Sequence, residues 1–269
     1  REPGQGKPTT IGLEASDRRS PERIGAVGPE IWSLADSSAH PLLSRFRAKR
    51  FDRALALVGH EILRQAGILS MSQKLDNLLL AAMAPEDFAQ IQADLTYVEL
   101  PMRQCLAPAN APIEYVYFVQ SGIVSVVAQS NAFRSIEVGI VGREGFSGIP
   151  LVLGADQSLN QEFVQVPGTA LQMPAQQFRN AAERLPGFRV VLLRYVHAYM
   201  TQTAQGLLSV GTDHLGPRLA RWLLMCQDRI HGPDLPLTHE FLAMMLSVRR
   251  SGVTESIHIL EGEKLIKAN

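Results

Sequence analysis

A change of period constrains this chain more than any other feature. Within residues 98–173 the helical spacing of apolar residues gives way to short β-rich runs at 98–100, 113–119, 122–128, 135–141, 151–153, 162–166 and 170–173, separated by Gly, Pro and Asn turns. Many short strands at this spacing predict a compact antiparallel roll or sandwich. Pro101, Pro108, Pro112, Pro150 and Pro167 fall at run edges or in turns, where a missing amide hydrogen costs least. Helical patterns flank the roll. Leu78, Leu79, Leu80, Met83, Phe88 and Ile91 mark one before it, broken at Pro85, and Pro186-Gly187 opens a long helix to about Leu208 after it. A break at 211–217 leads to another helix over 218–230. The fold class is therefore α+β, with an antiparallel, jelly-roll-like β-roll and a helical C-terminal part.

The long helix carries Leu193, Val196, Met200, Thr203 and Leu207 at alternating spacings of three and four. Such a seam packs on the roll in a monomer, or against a second copy in a dimer. Further on, residues 235–266 read as two short helices around a tight turn. Thr238 offers an N-cap hydroxyl, Phe241, Leu242, Met245 and Leu246 form one buried face, and Ser247-Val248 interrupt it. A second helix opens at Arg249 or Arg250 with Val253, Ile257, Leu260 and Leu265 inward, and with Arg249, Arg250, Ser251 and Thr254 near its exposed start. The pair is either an ordinary helical hairpin or a DNA reader.

Composition bounds the function. Lys plus Arg and Asp plus Glu both number 26, so no global field attracts nucleic acid and any affinity must come from a local patch. Two cysteines, Cys105 and Cys226, are too few for a disulfide framework or a four-cysteine cluster. The scattered histidines show no metal-binding spacing, and no P-loop or nucleophile-elbow motif occurs; no catalytic residue, metal or cofactor is expected. No membrane span or secretory signal is legible, and the default location is the cytoplasm. Residues 1–28 read as a disordered tail. Residues 29–67 are weakly helical around Leu55, Val58 and Ile62, and their basic run, Arg45, Arg47, Lys49, Arg50 and Arg53, is either a solvated face or a contact for an acidic partner.

The segment LTHEFLAMMLSVRRSGVTESIHILEGEKLI resembles the helix-turn-helix of the Crp/Fnr superfamily of bacterial transcription regulators. LGPRLARWLLMCQDRI resembles the helix that precedes that motif, and residues 69–178 resemble the family's cyclic-nucleotide-binding-like β-roll, most clearly in IEYVYFVQSGIVSVV and VGIVGREGFSGIPLVLG. The domains implied are an N-terminal extension (1–67), a β-roll sensor (68–185), a dimerisation helix and hinge (186–213) and a helix-turn-helix domain (214–269). The sequence reaches Asn269 just past the second helix, so a winged motif lacking most of its wing is expected, with Ile259, Leu260 and Ile266 short of cover.

The resemblance implies a homodimer on an operator in double-stranded DNA, with RNA polymerase and an unknown small effector as further partners. Thr238, Arg249, Arg250, Ser251 and Thr254 are the implied DNA contacts, Arg250 falling where the family places an arginine on guanine. Ser251 stands where a glutamate is frequent, and Glu255 where a basic residue is. The implied effector pocket is Gly145, Gly148, Ile149, Asn160, Gln161 and Thr203. It departs from the cyclic-nucleotide pattern, with Ile149-Pro150 about where the ribose-binding glutamate belongs and Asn160 and Gln161 in the region of the phosphate-binding arginine. Neutral amides do not supply the charge or the fork of donors that a phosphate calls for, so tight binding of cyclic AMP or cyclic GMP is not expected. Thr203 serves either an effector or the dimer seam, whose implied members are Leu193, Val196, Met200, Thr203 and Leu207. The alternative is a module that dimerises with a partner regulator and sequesters it without reading DNA.

Overall fold

The computed structural model describes residues 9–12, 75–131, 134–230 and 234–268. The readings made for the rest of residues 1–74 lie outside the described residues. The strands are β1 (Thr9–Gly12), β2 (Thr96–Leu100), β3 (Cys105–Ala107), β4 (Tyr115–Asn131), β5 (Arg134–Val141), β6 (Gln161–Pro174), β7 (Asp234–Leu237) and β8 (Lys267–Ala268). The helices are α1 (Leu78–Ala81), α2 (Pro85–Ile91), α3 (Ala175–Arg184), α4 (Pro186–Thr212), α5 (Leu215–Gln227), α6 (His239–Met245) and α7 (Arg250–Gly262). Short 3-10 turns cover Gln92–Asp94 and Ile149–Leu153.

The roll is an antiparallel sheet of order β2-β6-β4-β5, with β3 also paired to β6. The separate runs of the sequence prove to be two long bent strands. Gly122 (φ 85°) interrupts β4 where its register against β6 shifts, and a Cβ at Gly168 would meet the Ser121 carbonyl oxygen. Both strands therefore bend together at facing glycines, which explains why glycine marked a run boundary without ending a strand. Pro167 lies at that bend within β6, not in a turn. The run expected at 151–153 belongs to the 3-10 turn. Pro85 begins a helix at its first position, where the missing N–H is no loss. For the same reason Gly216-Pro217 lie in the first turn of α5, and the break between α4 and α5 shrinks to Asp213-His214.

Alternation along the strands gives the sheet two buried faces. Val124, Val126, Val141 and Val164 face the main core, where Phe118, Phe146, Phe178, Phe188 and Tyr195 pack ring on ring at centroid separations from 5.3 to 6.3 Å. Ile123, Val127, Ile140 and Val166 face the other way, into a second core shared with α5, α6 and α7. Asn77 ties the lead-in helix to the roll: its Oδ1 caps α1 by accepting from Leu80 N at 2.9 Å, and its Nδ2 donates to Val119 O and Gly145 O, both at 2.8 Å. Gln202 of α4 covers edge strand β5, accepting from Ile140 N at 2.8 Å and donating to Ile140 O at 3.3 Å.

A second, three-stranded antiparallel sheet has the order β7-β1-β8, with Thr9 opposite Leu237 and Gly12 opposite both Asp234 and Lys267. The chain beyond α7 supplies only the short β8 to this sheet; its central strand comes from the other end of the described chain.

Candidate nucleic-acid interface

Thr238 caps α6, its hydroxyl accepting from Phe241 N at 3.2 Å. Leu242, Ala243, Met245 and Leu246 are buried below it. The chain turns at Ser247, in the left-handed region at φ 53°, and Val248 N bonds back to Ala243 O at 2.9 Å. From there α7 starts at Arg250 with Arg249 as its cap residue, burying Val253, Ile257 and Leu260 against α5 and α6. This fixes which face is left over. Arg249, Arg250, Ser251, Glu255, His258 and Ile259 are exposed, along the side and start of the helix that a major groove would receive. Ile266 is covered despite the short β8, whereas Ile259 stays open to solvent.

Two cross-helix contacts organise this face. Arg250 Nε donates to Glu240 Oε1 at 3.0 Å, and His239 Nδ1 lies 3.0 Å from Thr254 Oγ1. The Thr254 hydroxyl also reaches back to Arg250 O at 3.2 Å. His239 and Glu240 are not among the contacts the sequence points to; their common place at the start of α6, ahead of a helix crossing at its end, was the available signal.

The head formed by α5, α6 and α7 is docked on the second face of the roll. Phe163 meets Phe241 edge-on with centroids 6.3 Å apart. At the centre of this apolar contact, Glu137 of β5 accepts from Trp222 Nε1 of α5 at 2.5 Å and from Ser125 Oγ at 2.6 Å. The Ser125 hydroxyl also lies 2.7 Å from Gln165 Oε1 and 3.7 Å from Met245 Sδ. Burial pushes the Glu137 carboxyl up to about 7, against the two hydrogen bonds and the charge of Arg229, which pull it down. A second tie joins Arg229 Nε to Glu144 Oε1 at 2.6 Å, and the stem of Arg229 fits there because Gly142 has no side chain.

The expected effector residues are not a single cluster of free polar groups. Gly145 is where α4 packs on the roll: a Cβ there would lie 2.0 Å from the Tyr195 ring. Gly148 (φ 85°) donates its N–H to Glu162, at 3.1 Å to the nearer carboxylate oxygen. Ile149 begins the 3-10 turn, and Asn160 N donates to Ser158 Oγ at 3.0 Å. Gln161 turns outward, accepting from Gln129 Nε2 at 2.9 Å. Thr203 donates to Tyr199 O at 3.1 Å, one turn back on its own helix. Glu162 is the residue the sequence reading missed. It is buried, and desolvation pushes its carboxyl up to about 7 against bonds from Gly148 and Ser147. Its alternation with Val164 on β6 was the signal that it points inward.

The residues expected in a seam on α4 differ in exposure. Val196 is 4% exposed and packs into the roll core, whereas Met200 and Leu207, further along the helix, are 63% and 74% exposed. The open stripe runs Leu193, His197, Met200, Ala204, Leu207. Steps of three then four from Leu193 reach Val196, Met200, Thr203 and Leu207; steps of four then three reach His197, Met200, Ala204 and Leu207, and packing on the roll leaves the latter set open to solvent.

Among the described residues no helix is long and apolar enough to cross a membrane. Residues 217–269 match the Crp-like helix-turn-helix domain. No curated protein sequence matches the chain. The c-di-GMP responsive global regulator CLP of Xanthomonas campestris superposes with a TM-score of 0.56 at 16% identity, over 69% of this chain and 96% of that one. FixK2 from Bradyrhizobium japonicum does so with a TM-score of 0.56 at 15% identity, over 63% and 85%. A Crp/Fnr-family transcriptional regulator of Thermus thermophilus gives 0.51 at 19% identity, over 62% and 87%. The C-terminal part is thus a Crp-like helix-turn-helix domain. The described chain as a whole has the α+β fold of the Crp/Fnr transcription regulators, a cyclic-nucleotide-binding-like roll followed by that domain.

Proposed function

We propose that this chain is a sequence-specific DNA-binding transcription regulator of the Crp/Fnr type, not an enzyme, acting as a homodimer through the open stripe of α4. The observation that carries the reading is the start of α7, where Arg249 and Arg250 stand exposed above a helix pair whose other face is fully buried. Arg250 reads a guanine through its paired donors, Ser251 lies beside it, and Arg249, Thr254 and the Thr238 end of α6 meet phosphates. Pairing two copies along Leu193, Met200 and Leu207 supports setting two such helices about 34 Å apart, one DNA turn.

Regulation is a shift between head positions. The docked position is held by the Glu137–Trp222 and Glu144–Arg229 bonds, and an effector or partner with higher affinity for the released position moves the population. Neither cyclic AMP nor cyclic GMP binds tightly in this reading: the Gly148 N–H is already engaged by the Glu162 carboxyl, and Asn160 and Gln161 bring no charge to a phosphate. RNA polymerase is the partner through which a DNA-bound dimer acts on transcription.

Selection of bound sequences from a random duplex pool tests the reading, followed by affinity against salt. A reader yields a two-fold symmetric site and affinity that falls steeply with salt. Salt-independent or absent DNA binding by a dimeric chain points instead to the sequestering module.

A further inference from the structure

The face that carries Arg249 and Arg250 also carries a carboxylate. Glu240, in the first turn of α6, bonds to Arg250 Nε across the turn between the helices, with the two side chains 55% and 66% exposed. Exposed ion pairs contribute little to stability, so the pair does not owe its interest to holding the fold together. Its place does. An acidic group beside a DNA-facing arginine is repelled by the phosphates and lowers affinity for every duplex alike. It also fixes the guanidinium: with Nε engaged by Glu240, the two Nη groups are the free donors, and paired donors in a fixed plane match guanine O6 and N7. The neighbouring His239–Thr254 contact repeats the arrangement, so the start of α6 touches the first turns of α7 at two adjacent points on the same side.

We propose that Glu240 is a positioning residue for base reading: it orients Arg250, lowering non-specific affinity while raising discrimination at the one base pair that Arg250 contacts. The inference rests on the DNA-reading function above. Glu240 does not touch the base for this role; it acts through the arginine, so its loss affects one position of the operator and leaves the others unchanged.

The test uses the full chain and three kinds of duplex: the best sequence selected by the wild type, a series in which each of its base pairs is substituted in turn, and a random duplex. Wild-type binding to the selected site comes first, because its failure overturns the proposed function and not this inference alone. With Glu240→Ala, affinity for the random duplex should rise roughly two- to fivefold at low salt, as a charge repelled by phosphate is removed. Discrimination at one base pair should fall by about tenfold, within the range one bidentate contact supplies, with the other positions unaffected. Glu240→Gln, which keeps the shape and an acceptor oxygen, should give the same rise in random-duplex affinity with a smaller loss of discrimination. In an Arg250→Ala background, Glu240→Ala should change discrimination no further. A uniform loss of affinity on all duplexes, unchanged discrimination, or an undiminished effect without Arg250 would overturn the proposal.

Discussion

Trp222 in α5 donates its indole N–H to the Glu137 carboxylate in β5 at 2.5 Å, tying the helix that leads into the reading head to the roll. The bond lies inside an apolar contact, where an unpaired polar atom costs more than the bond contributes. Trp222→Phe keeps the ring and removes the donor. It should lower stability by about 1–3 kcal/mol in a denaturant titration and raise the fraction of released heads, seen as faster proteolysis at the Asp213-His214 connection between α4 and α5.

Stability should fall from pH 5 to pH 8. Glu137 and Glu162 have folded values raised from 4.5 to about 7 by burial. Between those values the folded state binds protons that the unfolded state has released, so stability from these groups is fully present below about 4.5 and is lost as pH rises through 7. The loss is of order 2–3 kcal/mol for each. Thermal melts of the wild type against Glu137→Gln and Glu162→Gln measure it: each variant should flatten the pH dependence, and an unchanged profile in both would falsify the assignment.

Arg250→Ala should weaken binding to the preferred operator by about 1–3 kcal/mol and relax the base preference at one position, with the fold intact. Gel shifts on the selected and substituted duplexes report it, and an unchanged preference would remove Arg250 from base reading.

Charge on α4 should separate association from folding. Leu207→Glu places an acid on a side chain that is 74% exposed, so melting should be nearly unchanged while sedimentation shows monomers. Val196→Glu buries an unpaired charge and should unfold the roll. A dimer that survives Leu207→Glu would shift the interface off the stripe.

Asn77→Leu should cost about 2–4 kcal/mol, because it leaves Val119 O, Gly145 O and Leu80 N without partners in a dry setting. Equilibrium unfolding gives the number, and a cost below 1 kcal/mol would mean that water replaces the side chain.

The roll, the long helix and the helix pair were legible in the sequence because each rests on a local period and on terminal signals such as Thr238 and Pro186. What was not legible depends on pairing across the chain. Gly122 and Gly168 read as ends of strands, since a bend and an end carry the same residue until the facing strand is known. Glu137 and Glu162 do not stand out in their strands, because burial of a carboxyl is decided by Trp222, Ser125 and Gly148, all distant in sequence. Val196 and His197 differ by one step on α4, and only the position of the roll tells which is covered. Gly145 attracted a ligand-binding reading, whereas the ring of Tyr195 is what requires it.

Thr-Thr-Ile-Gly at residues 9–12 separates β7 from β8, with hydrogen bonds to both. A fragment cut just before α5 would keep all three helices of the head but have a slot one strand wide between two open edges. Such a slot recruits whatever extended peptide is at hand, including the same four residues from a neighbouring molecule. Removing residues 1–12 would therefore be expected to make the heads stick to one another, and a synthetic peptide spanning residues 7–14 to keep them apart.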